Sequence, residues 1–179
     1  MNPTSETIAT ANPNPVQSLH RPKLVKIDKS LFDQVQKKAE DSPRKRSNHN
    51  FHELHEVYQR FLNVLQKGTY IRPHKHSKPR KPETFLSLEG EFGFLTFDDL
   101  GNTIDCVHVS NKGPVYGVDI LPDVWHSVVC LTDVCVCFEG KSGPYDPTSD
   151  KEFASWAPDE SDEARFAQME KWTKLFPQL

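Results

Sequence analysis

"TYIRPHKHSKPRKPETF", residues 69–85, holds two histidines two apart in a basic, proline-rich run that ends on one acidic residue, Glu83. On an extended chain successive side chains alternate faces, so Tyr70, Arg72, His74 and His76 are expected on one side, opposite Ile71, Pro73 and Lys75. Two imidazoles then converge on one point. Glu83 returns to that point if residues 77–82 form a loop and residue 83 opens the next strand. A further imidazole is expected from "LPDVWHSVVC", residues 121–130, where His126 sits in an apolar strand introduced by Pro122, with Val128 and Cys130 on its face. Three neutral imidazoles and one carboxylate suit a divalent first-row transition metal with open positions for water or substrate, and Zn, Fe, Mn and Ni all remain open.

Outward from this stretch, residues 57 to about 139 form short runs rich in Val, Phe, Tyr, Ile and Thr. They are punctuated by Gly68, Gly90, Asp98-Asp99-Leu100-Gly101-Asn102, Asn111-Lys112-Gly113-Pro114 and Leu131-Thr132-Asp133. Evenly spaced short strands predict a sandwich or barrel. Ahead of them Asp28 caps Leu31, Phe32, Val35 and Ala39 at helical spacing, and Asp41-Ser42-Pro43 ends that helix. Residues 43–50 read as a basic, polar connector. "HELHE", residues 52–56, lacks the spacing of a His-Glu-x-x-His zinc motif and reads as a solvated helical turn. A C-terminal helix from about Asp159 should lay Phe166, Met169, Trp172 and Phe176 against the outside of the barrel. The expected organisation is a disordered leader over 1–27, a helical segment over 28–56, the barrel over 57–141 and a C-terminal extension with its helix over 142–179.

With 179 residues and 36% hydrophobic content the chain is expected to form one domain with a sizeable core. A net charge of -3 argues against nucleic-acid binding, which needs an excess of Lys and Arg on one face. No stretch approaches a membrane span, and no apolar targeting segment opens the chain, so a soluble, cytoplasmic protein is expected. Cys106, Cys130, Cys135 and Cys137 lie in strand-like runs without Cys-x-x-Cys spacing and read as reduced core residues. Lys78-Pro79-Arg80-Lys81 reads as a solvated loop, with attraction of an anionic substrate as the alternative.

The ordered array Gly68, His74, His76, Glu83, Gly90 and then Gly117, Pro122, His126 resembles the two motifs of the cupin superfamily. A longer interval, Ser77 to Pro82, separates His76 from Glu83, Val124 stands where the second motif has Gly, and Cys130 replaces its Asn. The resemblance covers roughly residues 57–140. It implies a mainly β double-stranded β-helix, a jelly-roll barrel, here with an N-terminal and a C-terminal helix. "SPRKRSNHNFH", "YIRPHKH", "VWHSVV", "FEGKSGPYDP" and "DKEFASWAPDE" together are similar to the cupin-fold metalloproteins of the WbuC family, which is associated with surface-polysaccharide gene clusters.

The resulting expectation is a metalloprotein with His74, His76, Glu83 and His126 as ligands and a small anionic or sugar-derived molecule as partner. A second copy of the chain in a homodimer is compatible with this, and no nucleic acid or membrane is expected. As an enzyme it would be a metal-dependent isomerase, epimerase or oxygenase, including a dioxygenase. The alternative is a non-catalytic ligand-binding module. Arg72, on the ligand face, is expected to hold an anionic group or to be neutralised by an internal acid such as Glu139, and Tyr70 and Tyr145 are the other candidate catalytic side chains.

Overall fold

The computed structural model describes residues 21–176, so most of the expected leader lies outside the described residues. Twelve elements follow in order: α1 (Lys29–Glu40), β1 (Arg46–Asn50), β2 (Tyr58–Gln66), β3 (His74–Lys75), β4 (Glu83–Glu89), β5 (Glu91–Phe97), β6 (Thr103–Ser110), β7 (Gly117–Ile120), β8 (Trp125–Cys130), β9 (Val134–Ser142), β10 (Glu152–Phe153) and α2 (Ala164–Thr173). The strands form two five-stranded antiparallel sheets, ordered β1-β2-β9-β4-β7 and β10-β3-β8-β5-β6. This is a jelly-roll barrel, a double-stranded β-helix of the cupin type.

Alternation along the strands divides the apolar residues into three layers. Leu65, Phe85, Phe92, Phe94, Val128, Cys130, Cys135 and Cys137 face inward and fill the space between the sheets. Val136, between the two inward cysteines of β9, faces the other way and joins Leu62 and Val64 beneath Phe32, Val35 and Ala39 of α1. On the far sheet Leu95, Phe97, Trp125 and Val129 face outward and are covered by Tyr70, Trp172 and Phe176. A one-residue slip would exchange core and surface faces, so this patterning sets the register.

Both helices are outer covers. Asp28 accepts a hydrogen bond from the Leu31 N–H at 3.1 Å, the expected cap of α1. Such a cap contributes about 1 kcal/mol. At the other end Phe176 docks on Gly93, where any Cβ would overlap its ring, so only glycine admits that close approach. α2 begins at Ala164, later than expected, and Phe166 on it stays exposed while Trp172 is buried.

The structure corrects four readings. The connector over 43–50 contains β1, an edge strand paired with β2 from Arg46↔Leu65 to Asn50↔Phe61; its polar sequence reflects a face turned to a cavity. "HELHE" forms turns, not a helix, and His52 is buried, its Nδ1 accepting the Arg60 N–H at 2.9 Å. Lys81 is buried rather than solvated, because a buried carboxylate receives it. Cys106 is exposed, because β6 is an edge strand, while the other three cysteines are buried as expected.

Candidate metal centre

His74 and His126 face each other directly, as the paired residues of β3 and β8, with ring centroids 4.5 Å apart. Glu83 enters from the opposite sheet as the first residue of β4, and His76 lies just after β3. All four side chains are buried, and one ligand atom from each lies within 4.8 Å of the others. The floor beneath is aromatic: Phe94 stacks on His126 at 5.7 Å and Phe85 closes in at 6.1 Å.

The hydrogen bonds around the rings assign their tautomers. Nδ1 of His74 donates to the Arg72 carbonyl at 3.0 Å, Nδ1 of His126 to the Val124 carbonyl at 3.0 Å, and Nδ1 of His76 to the Asp150 carbonyl. A carbonyl only accepts, so each Nδ1 carries a proton, and the neutral tautomer that fits this bond presents an Nε2 lone pair to the cluster. Nε2 of His76 and of His126 lie 3.0 Å from the two oxygens of Glu83. Yet both nitrogens, and Oε2 of Glu83, are buried without a hydrogen-bond partner. Orphaned buried acceptors converging on one point are the donor set a divalent cation satisfies.

The electrostatics agree with that chemistry. Burial alone would raise the Glu83 carboxyl, but the imidazoles of His126 and His76 outweigh it and hold the group well below the usual carboxylate range. Burial, with Lys151 and His126 adding to it, pushes His74 well below the ordinary histidine value and so keeps the ring neutral. Behind the cluster Asp150 accepts Lys81 at 2.7 Å and Lys141 at 2.9 Å, and Lys141 also lies 3.7 Å from Glu83. The insertion between His76 and Glu83 thus returns Lys81 to anchor the residue whose carbonyl orients His76.

Above the cluster opens a cavity of about 620 Å³, walled by residues that include Asn63, His74, His126, Glu139, Tyr145 and Lys151. Glu139 is buried there, and burial together with the nearby Glu83 pushes its carboxyl up to about 7. It accepts from Asn63 Nδ2 at 3.3 Å, and the Oδ1 of Asn63 has no partner.

Of the three candidate catalytic residues only Tyr145 reaches this cavity. The chain over 69–73 carries no sheet ladder, so strand parity fails there and Ile71, not Arg72, turns inward. Arg72 points to the rim, donating to Asp159 at 2.9 Å and to the Ala154 carbonyl at 2.9 Å. Tyr70 packs outside the barrel, stacked on Trp172 at 5.8 Å, with its hydroxyl donating to the Pro158 carbonyl. Sequence reasoning missed the roles of Lys81, Asp150, Lys141 and Lys151. For Lys141 the signal was present, since it shares the inward face of β9 with Cys135, Cys137 and Glu139.

Residues 27–109 match the model of a family described as a domain of unknown function, DUF6016. No curated protein matches the chain. Among solved structures, CapF with the inhibitor 3-isopropenyl-tropolone superposes with a TM-score of 0.54 and 23% identity, over 63% of this chain and 32% of CapF. The capsular polysaccharide assembling protein CapF from Staphylococcus aureus does so with 0.54 and 24%, over the same shares of 63% and 32%. This chain therefore corresponds to about 32% of the length of CapF. An uncharacterized conserved protein with a double-stranded beta-helix domain from Klebsiella pneumoniae superposes with a TM-score of 0.49 and 12% identity, over 63% of this chain and 82% of its own. The likeness to CapF is one of fold.

Proposed function

We propose that this chain is a cupin-fold metalloprotein that holds one divalent transition-metal ion through His74, His76, Glu83 and His126 and binds a small anionic or sugar-derived ligand in the cavity above it. The observation that carries the reading is the set of three Nε2 atoms and the Glu83 carboxylate, orphaned and convergent, with every Nδ1 committed to a backbone carbonyl. An ion held there supplies Lewis-acid polarisation of a ligand oxygen. The sugar element of the reading comes from the WbuC-like segments alone.

Glu139 favours an enzyme over a passive module. A buried carboxyl that titrates near neutral pH, facing the same cavity, can hold or accept a proton from a bound ligand. Asn63 keeps that carboxyl oriented.

Elemental analysis of protein prepared without chelator tests the metal reading. About one equivalent is expected in the wild type and a loss of at least most of it in His74→Ala, His76→Ala; full retention in that double variant would overturn the ligand assignment. Because the imidazoles must be neutral to ligate, occupancy should decline below about pH 6.

A further inference from the structure

Lys151 is exposed, and the surface it presents is part of the cavity wall. Phe153 of β10 pairs with His74 of β3, and Lys151, two residues before it, lines the cavity together with His74. Its neighbour Asp150 is fixed by three hydrogen bonds, from Lys81, Lys141 and His76, which pins the point from which Lys151 projects.

Every other Lys or Arg on the cavity wall or beside it, except Arg44, which is exposed, already has a partner among the described residues. Arg46 is held bidentately by Glu160 at 2.6 and 2.7 Å, Lys141 and Lys81 by Asp150, Arg72 by Asp159, and Lys75 lies 3.5 Å from Glu152. Lys151 has no carboxylate within ion-pair distance among the described residues; Glu139, across the cavity, does not reach it. An ammonium on the cavity wall with no counter-charge is free to make a charge-assisted hydrogen bond to a ligand anion.

We infer that Lys151 is the anion-recognition group of the cavity, pairing with a carboxylate or similarly charged group of a ligand whose other end lies over the His74, His76, Glu83 and His126 cluster. The inference rests on the metal reading and gives the role expected of Arg72, which lies outside the cavity, to a residue on its wall. It also sets the ligand class: a small molecule with a chelating oxygen at one end and an anionic group within the span of one cavity.

The test is calorimetry of malonate, a small dianion, against zinc-loaded wild type, Lys151→Met and Lys151→Arg, with zinc content and thermal midpoint measured on each preparation. Zinc content should be equal in all three. Malonate should bind the wild type, weaken about 10- to 100-fold in Lys151→Met, the effect of one charge-assisted contact, and recover within about threefold of wild type in Lys151→Arg. Equal affinity of Lys151→Met and wild type, or no malonate binding to zinc-loaded wild type, would overturn the inference. Failure of the wild type to take up zinc is a separate result, and it would overturn the metal reading instead.

Discussion

Asp150 and Lys81 form an ion pair at 2.7 Å in which both side chains are buried, and the same carboxylate takes Lys141 at 2.9 Å. Lys141 would still neutralise Asp150 without Lys81, so Lys81→Met should lower unfolding stability by about 1.5–3 kcal/mol, the range for one lost hydrogen bond to a charged group. Burial opposes ionisation of Asp150, but the lysines prevail and hold its carboxyl below the usual Asp value. The folded carboxyl thus releases its proton more readily than the unfolded one. Its contribution is complete above the ordinary Asp pKa and is lost as pH falls through the lower folded value. Urea unfolding at pH 7 and at pH 3 checks both points; a change under about 1 kcal/mol at pH 7 would show that the network contributes no more than a surface pair.

Glu139 behaves in the opposite sense. Its folded pKa near 7 lies above the ordinary 4.5, so between those values the folded chain holds a proton that the unfolded chain has released. Stability of the metal-free protein should therefore fall as pH rises through that window and level off above it. A shift of this size corresponds to about 3 kcal/mol. Glu139→Gln cannot titrate, and the difference between wild type and variant should change by that order between pH 4.5 and pH 8. A pH-independent difference in chemical unfolding would show that the carboxyl stays ionised throughout.

The thiols should separate kinetically. Cys106 is exposed, whereas Cys130, Cys135 and Cys137 are buried. The Cys130 contact and burial push the Cys135 thiol far up, and burial does the same to Cys137. A disulfide-exchange reagent at pH 8 should titrate one thiol rapidly in the native protein and four after denaturation, since the thiolate is the reacting species. Three or more fast thiols in the native state would contradict the burial.

The barrel and its four clustered side chains were legible because they rest on periodicities that backbone geometry enforces. His126, Val128 and Cys130 alternate on a strand, and Asp28 with Leu31, Phe32, Val35 and Ala39 mark a capped amphipathic helix. What the sequence concealed lies where that geometry lapses. Tyr70 and Arg72 were assigned inward by strand parity, but the chain before His74 makes no ladder, and each side chain found its own partner outside the cavity. Lys81 and Asp150, sixty-nine positions apart, carry no local sign of each other. Likewise β1 reads as a connector because its side chains face a cavity instead of a core.

The cavity wall joins distant parts of the chain: Arg46 of β1 and Glu160, ahead of α2, are 114 positions apart and meet in a bidentate pair. No sheet ladder joins these two segments, so this pair is a direct tie between the two flanks of the cavity. The enclosure over the cluster is thus closed by a clasp of two side chains and not by the barrel's own ladders. A trimmed chain ending before Glu160 would keep the residues of every ladder yet lose that clasp and the Trp172 ring stacked on Tyr70.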